Sequence, residues 1–297
     1  MNSYKHLQNR LRQKEIIVLD GAMGTEILQR GLSTTLPLWS AEALLTHPEV
    51  VQKIHEDYIS SGAEIIITDT FRTTRWAFAK SGIADKAHAT TLLACQLVRQ
   101  AIEQVKPRHP TYIAGSMAPL EDCYSPELTP PRDNLVAEHY TYAQNLKEGG
   151  VDFLLLETMI TVQETLAAIQ AAQKLAVPFA VSFCTNAHGN LLDGTPLAQV
   201  VKAVETYNPL FIGVNCVSPE IATVTLQALK EITTSPLSVY AQGDGIPNDN
   251  QGWAFVTETD IGNYITHTKK WLQEGAQIIG GCCGTNPAYI ERIRTLV

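Results

Sequence analysis

Three of the six cysteines in this 297-residue chain sit where their type and setting could do chemistry. Cys282 and Cys283 are adjacent inside Gly280-Gly281-Cys282-Cys283-Gly284-Thr285, and Cys216 closes Gly213-Val214-Asn215-Cys216. Successive side chains of a regular strand face opposite ways, so a cysteine pair flanked by glycines marks an irregular strand end. Three thiolates brought together there suit zinc and leave a fourth position for an exchangeable ligand. A thiol in that position loses its proton and becomes a nucleophile near neutral pH, which is chemistry for sulfur alkylation. The glycine pair could equally open a phosphate-binding turn before the last helix, with incidental cysteines. Spacing alone leaves both readings open.

Asp20 begins Asp20-Gly21-Ala22-Met23-Gly24-Thr25, and Glu157 ends the apolar run Phe153-Leu154-Leu155-Leu156. Two carboxylates at strand ends could hold a substrate ammonium or serve as acid and base. Helix capping or pairing with a nearby cation is the plainer alternative for each. Trp39, Thr70 and Phe71 follow the first and second strands and offer aromatic surface near the mouth of a site. Such faces attract cationic groups, sulfonium included. For Trp39, packing under its own loop is the alternative. Arg72 and Arg75 are of the right type for a carboxylate but are read as solvated or structurally paired. The eight histidines form no ligand-spaced cluster. Cys95 and Cys184 read as small buried hydrophobes, whereas Cys123, in a polar proline-containing loop, stays open.

The elements that must carry these residues are short apolar runs separated by amphipathic stretches, the pattern of a parallel α/β sheet. Eight strands are predicted, at 16–19, 65–68, 112–115, 153–156, 179–183, 210–214, 238–241 and 277–280. Between them, apolar residues recur at helical spacing, as in Val162, Leu166 and Ile169, or Ile261, Ile265, Thr268 and Leu272. Eight units without a linker predict a single-domain (β/α)8 TIM barrel spanning 1–297. The long connections 21–46, 116–134 and 242–257 fall on its catalytic face. Within the last, 242–250 is the expected mobile cover over a substrate.

A net charge of −8 and 45% hydrophobic residues argue for a large core and against nucleic acid or an anionic membrane as partner. A small, non-polyanionic substrate fits better. No stretch has the length of a membrane span or the make-up of a signal peptide. Six unevenly spaced cysteines are too few for a secreted disulfide scaffold, so a reducing, cytoplasmic setting is expected.

Taken together, Asp20-Gly21-Ala22-Met23-Gly24-Thr25-Glu26, Leu38-Trp39-Ser40-Ala41, Thr70-Phe71, Leu156-Glu157-Thr158, Gly213-Val214-Asn215-Cys216 and Gly280-Gly281-Cys282-Cys283-Gly284-Thr285 with Pro287 resemble the homocysteine S-methyltransferase family. That family includes S-methylmethionine-dependent and betaine-dependent enzymes and the homocysteine module of cobalamin-dependent methionine synthase. The resemblance implies a barrel in which Cys216, Cys282 and Cys283 hold Zn2+ and homocysteine adds its sulfur. It also implies that Asp20 and Glu157 hold the amino group of homocysteine; the closely spaced backbone amides of 21–25 are the candidates for its carboxylate. Gly21, Thr25, Trp39, Thr70, Phe71 and Asn215 complete the expected substrate site. A freely diffusing methyl donor is expected, S-methylmethionine ahead of S-adenosylmethionine and betaine, because no cobalamin or folate module accompanies the barrel. A betaine- or corrinoid/folate-dependent methyltransferase, a phosphate-binding lyase or isomerase, and a zinc- or redox-sensing thiol protein are the alternatives. One departure stands out: where the family has an Asn-x-Gly-x-Pro-like run, this chain reads Gln242-Gly243-Asp244-Gly245-Ile246-Pro247. The resemblance therefore does not carry over the fourth zinc ligand or the donor.

Overall fold

Alternation along the strands sets the architecture. Ile17, Leu19, Ile65, Phe153 and Leu155 share one buried cluster, while Val18, Ile66, Leu154 and Leu156 belong to another. Successive residues thus face opposite layers, as the pleat requires. The first cluster fills the inside of a ring of strands, and the second packs the ring against its outer helices. The structure is a computed structural model that describes residues 3–243, 245–248, 252–254 and 261–297.

In chain order the strands are β1 (Ile17–Val18), β2 (Ile65–Ile67), β3 (Tyr112–Met117), β4 (Phe153–Met159), β5 (Phe179–Phe183), β6 (Ile212–Asn215), β7 (Leu237–Tyr240), β8 (Ile246–Asn248), β9 (Gly252–Ala254) and β10 (Ala276–Ile279). Eight of them form one sheet in the order β1-β10-β7-β6-β5-β4-β3-β2, every neighbouring pair being parallel. A parallel bridge from Leu19 to Ile65 joins the sheet's two edges. The result is a single-domain (β/α)8 barrel, and each of the eight predicted strands overlaps an observed one.

Glycine at Gly213 lets β6 lie against β7, since a Cβ there would sit 1.9 Å from the Ser238 hydroxyl. The N-terminal helix Ser3–Arg12 buries Leu7 and Leu11 against the barrel interior. Arg10 and Arg294 both pair with the buried Glu64, at 2.6 and 2.9 Å.

The connection 21–46 is more structured than the sequence suggests, with short helices at Gly24–Gln29 and Ala41–Thr46. Six residues are too few to display a helical period, which is why turn-forming composition dominated the reading. Strands β8 and β9 pair as an antiparallel hairpin within 242–257, and Trp253 from that hairpin is buried. Residues 244, 249–251 and 255–257 of this connection lie outside the described residues.

Candidate active site

Inward-facing rows continue past the hydrophobic interior to the open end of the barrel. On β4, Phe153 and Leu155 are followed in the same phase by Glu157, and on β3, Tyr112 and Ala114 are followed by Ser116. The Ser116 hydroxyl donates to Glu157 Oε1. Register shifts along β4 between Leu156 and Met159, and Thr158 takes a left-handed φ of 58°. Asn215, on β6, holds that irregularity: its Oδ1 accepts from the Thr158 amide at 2.9 Å and its Nδ2 donates to the Thr158 hydroxyl at 2.8 Å.

Asp20 leaves β1 with Oδ2 accepting from the Ile67 amide at 2.9 Å and with Oδ1 buried and unpartnered. Neither carboxylate caps a helix; the helix after β4 is capped by Thr161 instead. Burial pushes Asp20 well above the usual carboxylate range, and the nearby Glu157 adds to the shift. Burial likewise pushes Glu157 up to about 7, opposed by the Ser116 hydrogen bond. No Lys or Arg among the described residues pairs with either. Two buried carboxylates without a counter-charge are costly unless a ligand brings one.

The sulfurs of Cys216, Cys282 and Cys283 lie within 4.8 Å of one another, the only such group of metal-ligating side chains among the described residues. Tetrahedral zinc–thiolate bonds place sulfurs ~3.8 Å apart, inside that limit, and three cysteines are a donor set that zinc takes. Cys216 has a left-handed φ of 56°, an unusual conformation for a residue with a side chain. Hydrogen bonds from Cys282 and Cys283 hold its thiol well below the ordinary cysteine value, and the Tyr124 hydroxyl contributes further. Tyr124 Oη is 3.1 Å from Cys216 Sγ. Gln242 donates through Nε2 to Tyr124 Oη at 3.0 Å and to the Cys216 carbonyl at 3.1 Å.

Four amides of the glycine-rich segment are already committed. Those of Gly281, Cys282, Gly284 and Thr285 donate to the Asp20 carbonyl, the Ala241 carbonyl, the Thr25 hydroxyl and the Cys282 carbonyl. A phosphate-cradling turn needs such amides free, which argues against that reading of the segment.

One cavity of ≈ 320 Å³ unites Asp20, Gly21, Trp39, Phe71, Glu157 and the three cysteines. Three expected site residues stand behind its wall. Thr25 is buried with its hydroxyl on the Gly284 amide, and Thr70 donates to the Ser116 carbonyl at 2.8 Å. Asn215 braces Thr158, as above. Each is a polar residue beside the site whose hydrogen-bonding capacity other protein groups have taken. Arg72 reaches the wall, but its guanidinium donates to the Glu121 carbonyl at 2.7 Å. Cys95 and Cys184 are buried, as expected, and Cys123 lines the cavity.

Asp69, Ser40, Tyr124 and Tyr240 also line it, and the sequence reading missed them. For Tyr240 the strand alternation of β7 held a usable signal, as did the run 65–68 for Asp69, in phase with Ile65 and Ile67; Ser40 and Tyr124 sit on loops without periodicity.

The profile of the homocysteine S-methyltransferase family matches residues 17–297. The chain belongs to this family. It is 31% identical to the Escherichia coli K12 homocysteine S-methyltransferase over 99% of both chains, and 29% identical to the Bacillus subtilis homocysteine S-methyltransferase YbgG over 99% of this chain and 97% of that one. The solved structure of the metallated form of the Escherichia coli homocysteine methyltransferase MmuM superposes with a TM-score of 0.85 at 29% identity, covering 98% of this chain and 99% of that one. No helix among the described residues is long and apolar enough to cross a membrane.

Proposed function

We propose that this chain is a zinc-dependent methyltransferase that converts homocysteine to methionine with a small sulfonium donor, S-methylmethionine foremost, in a reducing, cytoplasmic setting. The observation that carries the reading is the convergence, in one cavity, of a three-sulfur cluster with a buried carboxylate pair that lacks a cation. An amino acid bearing a thiol answers both halves: its ammonium neutralises the carboxylates while its sulfur reaches the thiol cluster.

Cys216, Cys282 and Cys283 hold the zinc in this reading. When bound, zinc lowers the pKa of a coordinated thiol and so supplies a nucleophile without a general base. Asp20 and Glu157 take the homocysteine ammonium through charge-assisted hydrogen bonds. The backbone of residues 21–25 faces its carboxylate; the Ala22 amide is already held by the Thr285 hydroxyl, which leaves its neighbours. Trp39 and Phe71 offer aromatic faces to the positive donor. A sulfur–carbon bond forms at homocysteine as the donor's sulfur–methyl bond breaks. The bonding pair leaves on the donor sulfur, giving a neutral thioether, and the thiol proton goes to solvent. Positioning the methyl in line between the two sulfurs supplies much of the acceleration.

A sulfonium ranks above betaine because a neutral thioether leaves more readily than an amine. S-methylmethionine ranks above S-adenosylmethionine because ≈ 320 Å³ is near the lower end of small-ligand sites. The test is methionine formation by zinc-loaded protein given homocysteine and each donor separately. Turnover with betaine and neither sulfonium overturns the donor assignment; no turnover with any donor overturns the reading.

A further inference from the structure

Asp69 lines the same cavity as Asp20 and Glu157. It is 3% exposed, its Oδ1 accepts from the Ser40 hydroxyl at 2.5 Å, and its Oδ2 is buried with no hydrogen-bond partner. Burial raises its carboxyl, opposed by the Ser40 hydrogen bond. Two carboxylate positions thus line the cavity from different strand ends. One is the pair of Asp20, after β1, and Glu157, on β4. The other is flanked along the chain by Trp39, next to Ser40, and by Phe71, two residues beyond Asp69, both of which line the cavity.

The methyl transfer proposed above, on which this inference rests, joins two small molecules, and the first anionic position is taken by the acceptor. We infer that Asp69, gripped by Ser40, binds a primary ammonium of the methyl donor and makes the site selective for amino-acid sulfonium donors. A buried carboxylate oxygen without a partner is unfavourable until a donor group reaches it. A primary ammonium supplies N–H groups with the directionality to reach Oδ2. A trimethylammonium, or a sulfonium lacking an amino group, has no such hydrogen. Selectivity then arises from the site's own unsatisfied polar atom, the arrangement that rejects analogues lacking a hydrogen-bonding group most strongly.

The experiment compares zinc-loaded wild type, Asp69→Asn and Ser40→Ala with two donors, S-methylmethionine and its deamino analogue γ-dimethylsulfoniobutanoate. Wild type should prefer S-methylmethionine by about ten- to a hundredfold in kcat/KM, the factor expected of a charge-assisted hydrogen bond. Asp69→Asn should raise the KM for S-methylmethionine by a similar factor and erase the preference, with the homocysteine KM and zinc content unchanged. Ser40→Ala should move the donor KM the same way by less. An unchanged donor KM in Asp69→Asn, or a rise confined to the homocysteine KM, overturns the assignment. Calorimetric titration of S-methylmethionine into wild type and Asp69→Asn without homocysteine requires no turnover. A loss of affinity there supports the contact even if wild type fails to methylate homocysteine, which would sink the functional reading alone. Equal affinities, or no binding to wild type, sink the Asp69 contact alone.

Discussion

The phenolic oxygen of Tyr124 lies 3.1 Å from the Sγ of Cys216, and Gln242 steadies that phenol from the other side at 3.0 Å. Partners of this kind orient a metal-binding sulfur and temper its charge. Tyr124→Phe should therefore weaken zinc binding by about ten- to a hundredfold while the fold persists. Competition with a chromophoric chelator reads the affinity directly; an unaltered constant would show that the contact is incidental.

Serine at Cys216, Cys282 or Cys283 should each abolish stoichiometric zinc, because a hydroxyl is a poor substitute for a thiolate on this metal. Cys95→Ala, at a buried cysteine outside the cavity wall, should keep it. Elemental analysis of the purified proteins decides, and full zinc in all three serine variants would dismiss the cluster as a metal site.

Asp20→Asn and Glu157→Gln should retain zinc but lose homocysteine affinity. Removing a charge-assisted hydrogen bond to an ammonium costs roughly 1.5–3 kcal/mol, or about ten- to a hundredfold. Titration of homocysteine into each zinc-loaded variant measures it, and wild-type affinity in both would take the pair out of the substrate site.

Asn215→Ala removes two hydrogen bonds from Thr158, a residue held at a φ of 58°. Stability should fall by about 1–3 kcal/mol for the buried groups left unsatisfied. Because Glu157 is the preceding residue, the homocysteine KM should rise as well. Urea unfolding and steady-state kinetics test the two halves; a stability loss with an unmoved KM would mean that Glu157 does not depend on this brace.

Burial raises the Asp69 carboxyl from the ordinary 3.8 to about 7. Over that window the folded protein keeps a proton that the unfolded chain has lost, so the ligand-free protein loses stability as pH rises from about 3.8 to about 7. Above the folded value that loss is complete. Thermal melts across this range should show a shallower pH slope in Asp69→Asn than in wild type. Superimposable slopes would show that Asp69 ionises normally.

The barrel was legible because each strand is a short apolar run with an inner and an outer face, and the count of such runs fixed the number of units. Asp20 and Glu157 could be placed at the cavity because both directly follow such a run, and the cysteines because glycines mark where a strand ends. Legibility stopped where the pleat stops. Thr25, Thr70 and Asn215 lie beside the site in sequence, yet their side chains turn to other protein groups, a choice made by three-dimensional neighbours. Ser40 and Tyr124 reached the wall for the converse reason, being loop residues whose direction no periodicity reports, whereas Asp69 directly follows the run 65–68 in phase with Ile65 and Ile67. The helices at Gly24–Gln29 and Ala41–Thr46 owe their form to packing more than to local pattern.

The three sulfurs belong to the ends of β6 and β10, with β7 between them, and β10 is also the strand that pairs with β1. An ion held by all three acts as a rivet across adjoining staves. It can be fastened only once those staves stand side by side, so an ion bound there would favour the closed ring over an opened one. With such an ion bound, prising the staves apart would break sulfur–metal bonds as well as the ladder, and stripping it should loosen this arc of the wall before the rest.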